Sequence, residues 1–148
     1  MTGPSGPYYI MNKKIGFTCG TFDLFHAGHV SMLREAKNRC DILMVGIQTD
    51  PTVDRPEKNK PVQSVIERQI QVSACRYVDE IIVYTTEEDL LTILKTIPID
   101  YRFVGSEYMT KDFTGKYLEY SGAPIIVYNK REHAFSSSNL RQRVVNAG

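Results

Sequence analysis

Short apolar segments alternate with segments of helical period along most of this 148-residue chain. The apolar segments predict five strands, at residues 15–18, 42–47, 80–84, 101–105 and 125–128. The second of them, ILMVGI, is apolar apart from its glycine and is typical of a strand buried on both faces of a parallel sheet. The alternation therefore predicts an α/β fold of Rossmann-like, doubly wound type: a mainly five-stranded parallel sheet with helices on both faces.

Helices are predicted at 29–36, at 64–77, between a Thr86 capping box and Pro98, and from the serines at 136–138 onward. Residues 1–12 carry glycine and proline breaks and lack the apolar core of a signal peptide, so we expect a flexible leader before one domain at 13–148. Residues 48–61 hold three prolines and six charged side chains. This composition predicts an irregular loop with a functional role.

The charge and cysteine content exclude several classes of protein. With 18 basic and 17 acidic side chains, the chain has a formal net charge of +1, so we expect neither a nucleic-acid partner nor an anionic membrane. No apolar run is long enough to cross a bilayer. The cysteines, Cys19, Cys40 and Cys75, show no C-x-x-C spacing, which favours a reducing cytoplasm over a disulfide framework or a zinc knuckle.

The turn after the first strand reads GTFDLFHAGH, residues 20–29. Ligands of parallel α/β sheets bind beyond the carboxyl ends of the strands, and a helix N-terminus there favours phosphate. Gly20 and Gly28 allow close approach of the backbone, and His26 and His29 can face the same side of a helix start. The histidines could instead be caps or core residues, and a zinc site lacks further ligands because His133 is the only other histidine. Neither a P-loop nor a G-x-G-x-x-G fingerprint is present.

Three motifs carry a resemblance to a known family. GTFDLFHAGH resembles the H-x-G-H signature of the nucleotidyltransferase superfamily, and within it the cytidylyltransferases that act on phosphorylated alcohols. RYVDE, at 76–80, is similar to a segment of the glycerol-phosphate, phosphocholine and phosphoethanolamine enzymes. REHAFSSSNL, at 131–140, has the spacing of the family's R-T-E-G-I-S-T-T-x-I motif. The resemblance spans about residues 14–145 and is greatest to the glycerol-3-phosphate cytidylyltransferases.

The resemblance implies an enzyme that transfers a cytidylyl group from CTP to a small phosphorylated alcohol, with glycerol 3-phosphate as the first candidate, giving a CDP-alcohol and pyrophosphate. The catalytic residues that it implies are His26, His29, Lys60 and Arg131. The implied nucleotide-binding residues are Gly20, Thr21, Phe22, Gly28, Arg131, Ser136 and Ser137, and the implied acceptor-binding residues are Lys58, Arg68, Arg76 and Glu107.

The resemblance further implies Mg²⁺ carried by the triphosphate. No protein ligand for the metal is assigned, although Asp23 could organise the first turn or the waters of the metal. It also implies a homodimer formed through the RYVDE region. Residues 13–148 are then a nucleotidyltransferase catalytic domain.

Other interpretations of the same residues stay open. Lys58 and Lys60 could belong to a solvated charge run, Arg68 and Arg76 could form ion pairs, and Ser136 and Ser137 could be plain helix caps. Where the family has G-D-D-W, this chain has GSEY at 105–108, so the identity of the acceptor substrate stays open. In the last motif, Phe135 and Ser137 replace Ile and Thr. An adenylyltransferase acting on a sugar phosphate or flavin precursor, or an inactive nucleotide-binding module, remain alternative functions.

Overall fold

The computed structural model describes residues 12–121, 124–130 and 135–148. The predicted leader therefore lies outside the described residues, apart from Asn12. The strands are β1 (Ile15–Gly20), β2 (Ile42–Gln48), β3 (Glu80–Tyr84), β4 (Tyr101–Gly105) and β5 (Ile125–Asn129). The helices are α1 (Ala27–Lys37), α2 (Val65–Ser73), α3 (Glu87–Thr96) and α4 (Ser137–Ala147), with short 3₁₀ turns at Pro51–Val53, Ser106–Met109 and Lys116–Ser121.

The five strands form one sheet in the order β3-β2-β1-β4-β5, with every neighbouring pair parallel. The chain first builds β2 and β3 on one side of β1 and then returns to build β4 and β5 on the other side. The predicted doubly wound fold is confirmed. The order of the strands also places a topological switch point between β1 and β4, and a crevice opens at the carboxyl ends of strands at such a point.

Two apolar layers cover the two faces of the sheet. On one face Leu43, Val45 and Ile47 of β2 pack in one cluster with residues of α1 and α2. On the other face Phe17 of β1 packs with α3. Each fully buried aliphatic side chain contributes about 1.5–3 kcal/mol to this core. The apolar character of β2 follows from its position between two helical layers, as its sequence predicted.

The helix starts depend on side-chain caps. The Thr86 hydroxyl accepts the Asp89 N–H at 3.0 Å and the Asp89 carboxylate accepts the Thr86 N–H at 2.9 Å, which confirms the predicted capping box of α3. Ser64 and Glu67 form the same arrangement at α2. The prediction that this helix continues to residue 77 was wrong: α2 ends at Ser73, because tight turns follow it. Among the described residues no helix has the length and apolarity needed to cross a bilayer.

Candidate active site

A cleft of about 2010 Å³ opens at the carboxyl ends of the strands. Its walls come from four parts of the chain: the turn after β1, the loop after β2, the segment after β4 and the start of α4. These segments lie up to about 115 positions apart along the chain, from Gly20 to Ser136. The crevice at the switch point is therefore the place where the predicted phosphate-binding motifs meet.

His26 and His29 form a reciprocal cap at the start of α1. The Gly28 N–H donates to His26 Nδ1 at 3.0 Å, and the His26 N–H donates to His29 Nδ1 at 3.1 Å. Because Nδ1 of each ring accepts an amide proton, the neutral ring carries its own proton on Nε2. Both rings line the cleft. The capping interpretation is thus correct, and it assigns the proton of each neutral ring to Nε2.

Aromatic rings hold His29 in place. Phe25 stacks on its imidazole, with the ring centroids 5.4 Å apart and the planes within 1° of parallel. Phe22 lies tilted against it at 5.4 Å and is 4% exposed, so its side chain supports the histidine from the core. Phe22 and Leu24 have left-handed φ angles of 54° and 52°. Such a conformation costs roughly 1–3 kcal/mol for each residue and persists only where the surroundings impose it.

Asp23 lies between these two left-handed residues and is buried. Its carboxylate accepts the N–H groups of Val62 and Gln63, at 2.8 and 2.9 Å, and the Arg141 guanidinium at 3.1 Å. It therefore organises the first turn, one of the two roles considered from the sequence. Among the described residues no group of three or more His, Cys, Asp or Glu side chains could hold a metal ion.

The predicted nucleotide-binding glycines lie where a ligand can approach the backbone. Gly20 lines the cleft, and a Cβ added to it would contact only the Phe22 ring, at 3.4 Å. The space over Gly20 is thus open toward the cleft. Gly28 is buried in the first turn of α1 and also lines the cleft. Thr21 lines the cleft as well, while its carbonyl accepts a hydrogen bond from Arg68.

The N-terminus of α4 faces the histidines. Ser136 is the N-cap, and its hydroxyl accepts the Asn139 N–H at 3.0 Å. The Ser137 hydroxyl lies 3.2 Å from His26 Nε2. Both serines line the cleft, where the positive end of the helix favours an anion. The predicted catalytic residue Arg131 lies outside the described residues, as does His133.

The segment after β2 is a loop, as predicted, with one short 3₁₀ turn at Pro51–Val53. Hydrogen bonds from the hydroxyl and amide of Thr52 lower the pKa of Asp50 at the start of that turn. Asp54 accepts the Glu87 N–H at 2.6 Å, which fastens the loop to the start of α3. Proline and charge content do not reveal this attachment, because it depends on a helix start that is distant in sequence.

The two predicted lysines are placed differently in this loop. Both lysines are exposed, and of the two Lys58 lines the cleft while Lys60 does not. The sequence spacing favours Lys60 as the catalytic lysine, whereas the lining of the cleft favours Lys58.

A polar network that the sequence analysis missed forms the wall beneath this loop. The Arg55 guanidinium donates to Gln48 Oε1 at 3.1 Å, and the Gln48 amide donates to Glu87 Oε2 at 3.0 Å. Thr114 donates to the other oxygen of Glu87 at 2.9 Å. Burial, Cys19 and Glu87 raise the pKa of the neighbouring Tyr84 phenol well above its usual value. The sequence could have indicated Gln48, because it is the polar residue at the carboxyl end of an otherwise apolar strand, where ligands of parallel sheets bind.

Arg68 occupies a structural position. It is 2% exposed, and its guanidinium donates to the carbonyls of Thr21, Gln48 and Thr49 at 2.6–3.0 Å. Burial lowers its pKa, while Asp23 and Asp50 act in the opposite direction. The predicted acceptor contact is therefore corrected: these N–H groups are committed to backbone carbonyls, so Arg68 supports the floor of the cleft and does not line it.

Of two further predicted acceptor-binding residues, one lines the cleft and the other does not. Glu107 lines the cleft, and its carboxylate folds back over Gly105. Arg76 is exposed after α2, lies over the Tyr77 ring with its guanidinium carbon 5.8 Å from the ring centroid, and does not line the cleft. The structure therefore does not bring Arg76 to the acceptor position within one chain.

A capping histidine pair and a serine-rich helix start face each other at the switch point of a parallel sheet, an arrangement of α/β proteins that favours an anion at the strand ends. Residues 17–143 match the model of the cytidylyltransferase-like family. The chain belongs to this family.

Individual relatives carry two different names. The bifunctional protein HldE of Paramagnetospirillum magneticum is 34% identical over 133 residues, which cover 89% of this chain and 27% of that protein. The ethanolamine-phosphate cytidylyltransferase of Arabidopsis thaliana is 40% identical over 103 residues, covering 69% of this chain and 24% of that protein. The probable ethanolamine-phosphate cytidylyltransferase of Encephalitozoon cuniculi is 51% identical over 70 residues, covering 47% and 22%. The chain thus spans about a quarter of the length of these curated relatives.

Two solved structures share the fold. A lipopolysaccharide core biosynthesis protein from Thermoplasma volcanium superposes with a TM-score of 0.57 at 20% identity, covering 92% of this chain and 89% of that chain. A putative nicotinate-nucleotide adenylyltransferase from Vibrio parahaemolyticus superposes with a TM-score of 0.56 at 15% identity, covering 91% and 88%. At these identities the likeness concerns the arrangement of the sheet and helices alone.

Proposed function

We propose that the protein transfers a cytidylyl group from Mg²⁺-bound CTP to the phosphate of a small alcohol, giving a CDP-alcohol and pyrophosphate. The observation that carries the proposal is the pair of imidazoles that line the cleft, each with Nδ1 accepting a backbone N–H and therefore with its own proton on Nε2. Two fixed donors beside a helix N-terminus match the charge that develops on a phosphorus under attack.

The reaction needs positioning more than a strong base. An oxygen of the acceptor phosphate, already an anion near neutral pH, attacks the α-phosphorus, and the bond to the β-phosphate oxygen breaks. His26 and His29 would donate to the oxygens of the α-phosphate. Because Ser137 lies 3.2 Å from His26, the hydroxyls and amides at the start of α4 are close enough to hold the departing pyrophosphate.

The loop after β2 would supply the cation that joins the two substrates. Lys58 lines the cleft together with the two histidines and the serines of α4. A lysine in this cleft can neutralise both phosphates as they approach. In this proposal Lys58 takes the role that the sequence assigned to Lys60, and Arg131 remains a proposed ligand of the triphosphate.

The acceptor class rests on the relatives. Two of them are named for ethanolamine phosphate, so phosphoethanolamine stands beside glycerol 3-phosphate as a first substrate to test. The metal is proposed to arrive on the nucleotide as part of the substrate, since the described residues offer no cluster of ligands for it.

A panel assay tests the proposal. Purified protein is incubated with Mg²⁺ and CTP, ATP, UTP or GTP, and with glycerol 3-phosphate, phosphoethanolamine, phosphocholine or a sugar 1-phosphate, and pyrophosphate is measured. We expect release that requires CTP and one phosphorylated alcohol, with the CDP-alcohol recovered by mass spectrometry. Pyrophosphate release that requires ATP in place of CTP, together with an acceptor, would identify an adenylyltransferase instead. Absence of release from every pair would reject nucleotidyl transfer and favour a binding module.

We also propose that the protein forms a homodimer, as the resemblance at residues 76–80 implies. In support, β3 is an edge strand, and Arg76 and Glu80 beside it are exposed. Sedimentation equilibrium tests this, with twice the 16.9 kDa chain mass expected. A species of the single-chain mass at all concentrations would contradict it.

A further inference from the structure

We propose that Asp23 is a positioning residue that ties the loop after β2 and helix α4 to the first turn, so that the phosphate-binding groups of all three segments act on one nucleotide. The kinetic part of this inference rests on the proposed function; the structural coupling itself does not. Besides organising the first turn, Asp23 joins two segments that are distant in sequence.

The contacts reach two segments that are far apart in sequence. One oxygen of Asp23 accepts the Gln63 N–H at 2.9 Å, and the other accepts the Val62 N–H at 2.8 Å and Arg141 Nη2 at 3.1 Å. The Asp23 side chain is 9% exposed, whereas that of Arg141 is 35% exposed and lines the cleft. A hydrogen-bonded pair that is largely shielded from water on one side is stronger than an exposed surface pair.

The turn and the loop also support each other around Asp23. Leu24, one of the two left-handed residues, donates its N–H to the side chain of Gln63 at 2.7 Å. The end of the loop therefore makes three hydrogen bonds to the first turn, through Val62 and Gln63. These bonds offset the conformational cost of the two left-handed residues, and they fix the point at which the loop carrying Lys58 rejoins the core.

Helix α4 depends on few other contacts. None of its residues is buried, and Val144 and Val145 are 66% and 71% exposed. Two polar side chains one helical turn apart, Ser137 and Arg141, point at the first turn, where they meet His26 and Asp23. With little apolar packing to place the helix, the Arg141–Asp23 pair becomes a main determinant of where its N-terminus lies.

The same contacts disfavour a metal-ligand role for Asp23. The carboxylate already receives three hydrogen bonds, one of them from a guanidinium that balances its charge. Binding of Mg²⁺ at the oxygen that Arg141 contacts would have to displace the guanidinium, and binding at the other oxygen would place a second cation close to it. The two roles predict different dependences on metal concentration, which makes them separable.

The first experiment compares Asp23→Asn, Arg141→Gln and the double variant by steady-state kinetics with Mg²⁺–CTP, with thermal unfolding as a check on folding. We expect each single variant to lower kcat/KM for the nucleotide about 10- to 100-fold, the scale of effect that misplaced groups produce. The double variant should have about the same kcat/KM as the less active of the two single variants, because both substitutions remove the hydrogen bond between Asp23 and Arg141. The Mg²⁺ activation midpoint and the KM for the acceptor should stay within about twofold, as a positioning role requires.

The matched control is Asp100→Asn. Asp100 accepts the Ile15 N–H at 2.8 Å at the amino end of β1, on the edge of the sheet opposite the cleft. Asp100→Asn weakens this hydrogen bond and leaves the carboxyl ends of the strands, where the cleft lies, unchanged. We therefore expect lower stability with unchanged kinetic constants. Loss of activity in Asp23→Asn that excess Mg²⁺ restores would make Asp23 a metal ligand and overturn the proposal. Unchanged kinetics, or effects of the two single variants that multiply, would also overturn it.

The second experiment needs no substrate. Amide hydrogen exchange is followed at Val62 and Gln63 in wild type and in Arg141→Gln, and at Ser137–Ala147 in Asp23→Asn. We expect faster exchange at both loop amides when Arg141 is removed, although Arg141 does not contact them, and faster exchange in the helix when Asp23 is changed. Unchanged exchange in both variants would refute the coupling. A wild-type protein that shows coupled exchange but no turnover would reject the proposed function and leave the coupling intact.

Discussion

His26 Nε2 lies 3.2 Å from the Ser137 hydroxyl, although the two residues are 111 positions apart in the chain. The contact joins the first helix start of the fold to the last one. Both starts carry the positive end of a helix, and a single anion can therefore be bound by two helix N-termini at once. The contact defines the centre of the candidate site.

Two substitutions of His26 separate its capping role from its proposed catalytic role. Asn is an effective N-cap, so His26→Asn should keep the stability of α1, whereas His26→Ala should cost about 1 kcal/mol. Both variants lack the imidazole donor and should lower kcat roughly 10²- to 10³-fold. Thermal unfolding and initial rates provide the two measurements. A wild-type rate in His26→Asn would show that the imidazole serves only as a cap.

Gly20 offers a steric test of nucleotide binding. A methyl group there would contact the Phe22 ring at 3.4 Å, an ordinary contact, so Gly20→Ala should change the free energy of unfolding by less than about 1 kcal/mol. It would occupy the open space above the strand and should weaken CTP binding about tenfold or more. The contrast is Gly46→Ala, whose methyl would lie 2.9 Å from the Phe17 ring and should destabilise the fold instead. Isothermal titration and denaturant unfolding distinguish the two outcomes. Equal nucleotide affinity in wild type and Gly20→Ala would mean that the ligand does not pass over Gly20.

Arg68 should prove essential for stability. Arg68→Met leaves the carbonyls of Thr21, Gln48 and Thr49 without their donor, and each unsatisfied buried acceptor costs about 1–3 kcal/mol. We expect the free energy of unfolding to fall by at least about 3 kcal/mol in urea titration. Exposed Arg76 is the control, and Arg76→Ala should change the value by less than about 0.5 kcal/mol. Similar changes in the free energy of unfolding for the two substitutions would argue against a structural role for the buried Arg68 guanidinium.

The loop after β2 should become less accessible when nucleotide binds. It is fastened at Asp54 to α3 and at residues 62–63 to Asp23, so the segment 56–61 between these points is the part able to move. Trypsin cleaves after Lys58, and we expect CTP with Mg²⁺ to slow this cleavage severalfold. Arg55→Gln, which removes the bond to Gln48, should speed it. The same rate of cleavage with and without nucleotide would contradict closure of the loop.

Acid should weaken two helix starts. Hydrogen bonds from Ser64 lower the pKa of Glu67, and hydrogen bonds from Thr86 and Thr85 lower that of Asp89. A carboxyl whose pKa is lower in the folded state stabilises the fold fully above its unfolded pKa, about 4, and loses this contribution as the pH falls through the folded value. Unfolding free energy should therefore drop below about pH 5, and Glu67→Gln with Asp89→Asn should flatten the drop. A pH profile that the double variant leaves unchanged would exclude these caps as its source.

Local patterns in the sequence predicted the elements well. The continuous apolar run of residues 42–47 predicted a strand buried on both faces, and the spacing of Thr86 and Asp89 predicted a helix start that the structure contains. Both predictions concern groups within a few residues of each other, where backbone geometry fixes the relation between spacing and contact. The helix predicted to run to residue 77 ended earlier, because its end depends on turns that propensity does not specify.

The site was predictable in place but not in detail. The strand-end rule located the first turn, the loop and the last helix correctly around one cleft. The sequence could not show that the Arg68 guanidinium donates its N–H groups to backbone carbonyls at the end of β2 and in the first turn. Those carbonyls come together only in the folded chain. The spacing in the sequence favours Lys60 over Lys58, but it carries no information on the path of the loop, which is fastened through Asp54 and Arg55 to distant residues.

Because β1 is the central strand of the sheet, the two walls of the cleft come from two different parts of the polypeptide. Most of the wall beside β2 and β3 comes from residues before 97, and the wall beside β4 and β5 comes from residues after 100. An insertion after β3 or after β4 would therefore lengthen one wall and leave the strands under the other unchanged. In the proposed reaction, such a change would alter the fit of one substrate, while residues 20–29 would stay the point at which the two substrates meet.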